Sequence, residues 1–155
     1  MAGLYIHVPF CQKRCLYCDF YSNTDMGYQE AYLSALIREM ELRKNYLEGE
    51  TLETIYFGGG TPSQLSVENL NRIFEAIYRH FSVNQDMEIT LEANPDDMTP
   101  AYVAALRSLP VNRISMGVQS FDAADLKFLN RRHDREEALR AVRLCQEHNL
   151  YNISI

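Results

Sequence analysis

The feature that most restricts the fold is an alternation along the chain. "GLYIHVPF" reads as a strand stopped by Pro9, "LETIYFGGG" as a strand stopped by three glycines, and "MEITLEANP" as a strand ending at Asn-Pro. "NRISMGVQS" reads as a fourth strand and "NISI" as the start of a fifth. Between the first two, Tyr32, Leu33, Leu36, Ile37, Met40 and Leu47 recur at helical spacing through "YQEAYLSALIREMELRKNYL". Leu70, Ile73, Phe74 and Ile77 make a stripe behind Ser66, a good N-cap. Thr99 caps the next helix with Pro100 in its first position, a shorter helical piece starts at Asp122, and "DREEALRAVRLCQEHN" completes the series. Strands joined through helices run parallel, which gives an α/β layered fold or a barrel with right-handed crossovers. No repeat, low-complexity tract or linker divides the 155 residues, which are expected to form one domain. Because the sequence stops at Ile155 inside an apolar strand, it is expected to be a fragment of a longer protein.

That alternation also fixes where chemistry belongs. "PFCQKRCLYC" follows the first strand and "GGGTP" the second, while "EANP" and "GVQS" close the third and fourth. In parallel sheets and barrels these positions share the carboxyl edge, where ligand sites are built. Four separate stretches of unusual residues therefore converge on one face.

Composition excludes several alternatives. A net charge of −6 with no basic stripe argues against a nucleic-acid surface. "REMELRK" and "LNRRHDREEALR" mix both signs and read as solvated helix faces. No apolar run approaches the roughly 20 residues that cross a bilayer, and "MAGLYIHVPF" lacks the layout of a secretion signal. The expected location is cytoplasmic, where thiols stay reduced and disulfides are disfavoured. Cys145, in a helical pattern, reads as a small buried hydrophobe. His7, His80, His133 and His148 read as structural or solvated, His7 being the one nearest the chemistry.

Cys11, Cys15 and Cys18 lie on one short loop, an odd number for disulfides and one short of a closed tetrahedral site. A zinc site would take a histidine such as His7 or His133 as fourth ligand, and structural zinc usually takes two ligand pairs set well apart. An iron–sulfur cubane suits the loop better, since three thiolates leave one iron open. The glycine run of "FGGGTPS" allows close backbone approach to a ligand, with amides free to donate, or makes a tight turn. Glu92 could hold an ammonium or a ribose, Gln119 offers donor and acceptor, and Arg131 could grip a carboxylate. Each of the three alone reads as surface. Together they describe a pocket for a small zwitterion with hydroxyls beside an open iron.

The Cys-x3-Cys-x2-Cys spacing of "CQKRCLYC" resembles that of radical S-adenosylmethionine enzymes. With "YIHVPFCQKRCLYCDF", "YFGGGTPS", "EITLEANP" and "RISMGVQSF", the chain resembles the oxygen-independent coproporphyrinogen III oxidase family over nearly its whole length. The resemblance implies a parallel (βα)6 partial barrel, of which residues 1–155 would be the N-terminal part. About four and a half units would be present, with the later strands and a C-terminal domain absent. It also implies that Cys11, Cys15 and Cys18 ligate a [4Fe-4S] cluster whose fourth ligand is S-adenosylmethionine. Tyr5 and Tyr17 would meet the methionine or adenine portions, and Gly59, Gly60 and Thr61 the amino-acid end through backbone groups. Glu92, Gln119 and Arg131 would bind the rest.

One position separates the subgroups. Decarboxylating members carry a further Cys two residues after the third, where this chain has Phe20. That departure resembles the haem chaperone subgroup, thought to deliver haem to respiratory proteins. The alternative is a coproporphyrinogen III dehydrogenase, in which a 5′-deoxyadenosyl radical drives oxidative decarboxylation. A zinc-binding structural module is the remote alternative. The implied partners are haem or a porphyrinogen, a haem-receiving respiratory protein, and an electron donor such as flavodoxin or ferredoxin.

Overall fold

The computed structural model describes residues 2–155. Five strands, β1 (Ala2–Val8), β2 (Leu52–Gly59), β3 (Val83–Ala93), β4 (Arg113–Met116) and β5 (Ile153–Ser154), form one sheet in sequential order. Every neighbouring pair is parallel. Between them lie α1 (Gln29–Leu42), α2 (Val67–His80), α3 (Pro100–Leu106), α4 (Ala123–Phe128) and α5 (Arg135–Glu147). Sequential order with right-handed crossovers puts the helices on one side, the arrangement of an open barrel segment.

Strand alternation separates the two faces. Ile6, Val8, Ile55, Phe57, Ile89, Leu91, Ile114 and Met116 are buried against the helices. The intervening Tyr5, His7, Tyr56, Glu92, Arg113 and Ser115 line the opposite face, which is therefore polar. From α2, Leu70, Ile73, Phe74 and Ile77 enter the core as their spacing predicts, and Phe74 meets Phe57 at 5.3 Å between ring centroids. Ser66 caps α2 by accepting from the Asn69 amide, Thr99 caps α3 from Tyr102, and Asp134 closes a capping box with Glu137 on α5. Ser66→Ala is expected to lower stability by about 1 kcal/mol, seen as a lower urea midpoint at unchanged slope.

The structure corrects four sequence expectations. First, α1 stops at Leu42, so Leu47 packs on the core from outside the helix. Residues 43–50 form tight turns, with Glu48 and Gly49 at positive φ, because the chain must reverse to enter β2. Second, β3 starts upstream of the expected run, at Val83. Third, β4 is only Arg113–Met116, and the chain leaves the sheet at Gly117. Fourth, within "LNRRHDREEALR" the segment "RRH" is not a solvated face, whereas Asp134, Arg135, Glu136 and Arg140 are exposed as expected. Arg131 and Arg132 are half-buried and His133 is 3% exposed, because acidic and carbonyl partners from distant segments draw them in. "REMELRK" does stay at the surface, with exposed pairs Arg38–Glu41 and Arg43–Glu39.

Candidate functional site

The register brings the carboxyl ends of the strands to one edge. Val8 lies opposite Gly59, and Ala93 opposite Met116. The cysteine loop, the glycine run, Asn94 and Gly117–Ser120 all leave the sheet there, around a cleft of about 640 Å³. That size falls within the usual range for a small-molecule site.

The cysteine loop is pinned at both ends. At its base the Cys11 amide donates to Asn23 O at 3.0 Å and Asn23 N to Pro9 O at 2.6 Å. Its tip is held by the segment after α4, where Asn130 Nδ2 donates to Arg14 O at 3.0 Å. His7 Nε2 donates to Tyr21 O at 2.9 Å, which leaves Nδ1 to accept from the Tyr5 hydroxyl at 3.3 Å. His7 thus braces the loop. His133 Nε2 donates to Val118 O at 3.0 Å, and burial, helped by Arg131, lowers its pKa and keeps it neutral. His7 has both ring nitrogens engaged, whereas His133 Nδ1 is buried without a partner.

All four cysteines are free thiols. Cys145 is fully buried in the core, where burial pushes its thiol up to about 11, as a small hydrophobe should be. Cys11 is buried and accepts from Thr61 Oγ1 at 3.4 Å. Cys15 accepts from Arg131 Nη1 at 3.2 Å. Among the described residues, no three His, Cys, Asp or Glu side chains converge to hold a single metal ion. A cubane needs no such convergence, since each thiolate takes a different iron.

The sequence-predicted residues come together with two exceptions. Cys15, Cys18, Tyr17, Gly59, Gly60 and Thr61 line the cleft, as do Glu92, Gln119 and Arg131. Cys11 sits behind it, and Tyr5 lies outside it, 55% exposed and stacked on Tyr56 at 6.0 Å. One expectation about the glycine run is overturned. Its amides are not free, since Gly60 N donates to Val8 O at 2.8 Å and Thr61 N to Phe10 O at 2.7 Å. Gly59 N donates to Glu92 Oε2 at 3.2 Å. The run is instead glycine because of close approach. A Cβ on Gly60 would lie 2.8 Å from Val8 O and 2.9 Å from Phe10 O.

Glu92 is fixed on both oxygens, the second by the Tyr56 hydroxyl at 2.6 Å from Oε1. Burial, reinforced by Glu92, pushes the Tyr56 phenol up to about 12, so it stays a donor. Burial raises the Tyr17 phenol despite the opposing pull of Arg131, so Tyr17 also keeps its proton. Gln119 adopts φ 69°, a strained conformation for a side chain of its size, and its amide lies over Gly117. Arg131 Nη2 donates to Asn94 Oδ1 at 2.7 Å and to Gly117 O, while its Nε is buried without a partner. A thiol-bearing loop, a guanidinium with an unfilled donor and a fixed carboxylate make a donor set suited to an iron–sulfur centre beside a zwitterion.

Tyr56, Asn94, Ser63 and Asp97 carry the site although sequence reasoning assigned them no role. Their links are to residues 31–37 positions away, which no local pattern reveals.

Residues 5–155 match the profile of the Radical SAM superfamily. The chain belongs to that superfamily. Membership implies a [4Fe-4S] cluster and S-adenosylmethionine as the groups held in such a site, and the donor set described above fits both. Over 152 residues the chain is 40% identical to "Heme chaperone HemW" of Lactococcus lactis, covering 97% of this chain and 39% of that protein. Over 145 residues it is 38% identical to the protein of the same name from Escherichia coli, covering 92% and 38%. Its fold matches that of coproporphyrinogen III oxidase (HemN) from Escherichia coli, a radical SAM enzyme. That match has a TM-score of 0.89 at 30% identity, over 97% of this chain and 35% of that one. The chain thus spans well under half the length of the relatives it matches. Among the described residues no helix is long and apolar enough to cross a membrane.

Proposed function

We propose that residues 1–155 form the N-terminal part of a radical SAM core in which Cys11, Cys15 and Cys18 bind three irons of a [4Fe-4S] cluster. The cleft would hold S-adenosylmethionine as the remaining ligand. When bound, the cluster supplies the electron for reductive cleavage of the sulfonium. Around it the chain binds and orients. Arg131 offers positive charge to the carboxylate, and Glu92, held by Tyr56 and Gly59, accepts from a ribose or ammonium. Gln119 and Tyr17 supply neutral polar contacts, and Gly60 and Thr61 form the wall nearest the cysteine loop. Tyr5, outside the cleft, acts through its stack on Tyr56 and its hydroxyl on His7 Nδ1. No side chain is placed as a general acid or base.

The whole protein is read as a cytoplasmic haem chaperone that takes haem and passes it to a respiratory protein, with flavodoxin or ferredoxin as electron donor. The observation that carries this reading is Phe20, which lines the cleft at 63% exposure. The decarboxylating branch has a thiol at that place. The 40% identity to a protein named as a haem chaperone supports the same choice. A second reading, oxidative decarboxylation of coproporphyrinogen III, is favoured by the fold match to HemN.

Anaerobically reconstituted, reduced protein should give a [4Fe-4S]⁺ EPR signal whose g-values move on adding S-adenosylmethionine. Stable haem binding by the full-length protein without decarboxylation would then support the chaperone. Deoxyadenosine formed in step with porphyrinogen turnover would support the enzyme. Zinc in place of iron would sink both.

A further inference from the structure

A chain of largely part-buried polar contacts runs to the cysteine loop. Arg132 Nη2 pairs with Asp97 Oδ1 at 2.6 Å, and Ser63 Oγ donates to Asp97 Oδ2 at 2.6 Å. The Asn94 amide donates to Ser63 Oγ at 3.2 Å, which fixes the backbone of Asn94. From there the Asn94 side chain reaches two ways. Its Oδ1 accepts from Arg131 Nη2 at 2.7 Å, and its Nδ2 donates to Thr61 Oγ1 at 3.5 Å. Those two partners are the groups that donate to sulfur, Arg131 Nη1 to Cys15 at 3.2 Å and Thr61 Oγ1 to Cys11 at 3.4 Å. A hydroxyl has one proton. With Asn94 Nδ2 donating to its oxygen, the Thr61 proton is directed at Cys11.

We infer that Asn94 is a positioning residue that aims one hydrogen bond at each of two cluster-ligating sulfurs and so sets the reduction potential of the centre. The inference rests on the cluster assignment proposed above. Hydrogen bonds to ligand sulfur stabilise the more negative, reduced cluster and raise its potential. Losing the asparagine leaves Arg131 Nη2 held by Gly117 O alone and the Thr61 hydroxyl free to turn elsewhere, so both bonds to sulfur are less well aimed and the reduced state loses that stabilisation. Asn94 itself touches neither sulfur, so its effect passes through its two partners.

The test is an EPR-monitored redox titration of cluster-loaded full-length protein, with iron and sulfide measured on each sample. Asn94→Ala is expected to load the cluster and to shift its midpoint negative by roughly a tenfold change in the reduction equilibrium, about 59 mV for one electron. A second pair keeps the inference testable should Asn94→Ala fail to fold. Thr61→Val, which removes the hydroxyl, should shift the midpoint negative, and Thr61→Ser should restore most of it. Adding Asn94→Ala to Thr61→Val should shift the midpoint by less than Asn94→Ala does alone. A fully loaded Asn94→Ala protein with the parent's midpoint and g-values would overturn the inference. So would a Thr61→Val midpoint equal to that of Thr61→Ser. A parent protein without an S-adenosylmethionine-responsive cluster would instead overturn the cofactor assignment beneath it.

Discussion

Gly60→Ala is expected to yield a protein that assembles little or no iron–sulfur cluster. The added Cβ would stand 2.8 Å from Val8 O, 2.9 Å from Phe10 O and 2.9 Å from the Pro9 carbonyl carbon. All three are main-chain atoms, so no side chain can swing away to make room. Both sides of the contact are also tethered, by Gly60 N to Val8 O and by Thr61 N to Phe10 O. Relief therefore requires Pro9 and Phe10 to move, and these residues lead directly into Cys11. Overpacking of this kind costs about 1–3 kcal/mol, which close packing passes on to the loop. Gly49→Ala is the control. It has φ 88° but nothing within 4 Å, so it carries conformational strain alone, far from the cysteines. Iron and sulfide per chain after anaerobic reconstitution should fall towards background for Gly60→Ala and match the parent for Gly49→Ala. Equal loading of the two variants would show that the close approach at Gly60 does not shape the loop.

Gly60 also illustrates what the sequence conveys and what it conceals. The glycine run marks a strand's end, and the alternation of patterns places that end beside the cysteines. Such inferences need only local periodicity, which is why α2, its Ser66 cap and its buried stripe are legible residue by residue. The destination of the run's amides is not local. They meet Val8, Phe10 and Glu92, whose nearness depends on strand register. The end of α1 was illegible for a related reason, since "RKNYLEG" is compatible with a helix until the need to enter β2 at Leu52 forces a reversal. Glu92 was visible as a carboxylate at a strand end. That its geometry is set by Tyr56 was not, because the two lie on neighbouring strands.

"LNRRHD" is the sharpest case of concealment and leads to the second large effect. Its charges suggest solvent, yet Arg132 is held between Asp96 and Asp97, and the three side chains retain 18%, 18% and 8% exposure. Arg132→Met is expected to lower stability at neutral pH by about 3 kcal/mol, because it strands two carboxylates in a half-buried site. The parent already holds Asp96 under tension. Burial raises its pKa, more than Arg132 pulls it down, and the nearby Asp97 adds to the rise. A carboxyl whose folded pKa exceeds its unfolded value contributes stability that is present below the unfolded pKa. That stability is lost as pH rises through the folded pKa. Removing Arg132 takes away the main opposing influence and pushes the folded pKa of Asp96 higher still. The deficit of Arg132→Met should therefore be largest at neutral pH and shrink as pH falls towards the ordinary carboxylate range and Asp96 takes up its proton. Urea midpoints of parent and variant across that range provide the measurement. A deficit constant with pH would mean that Arg132 contributes through packing of its aliphatic stem, with the charges solvated after all.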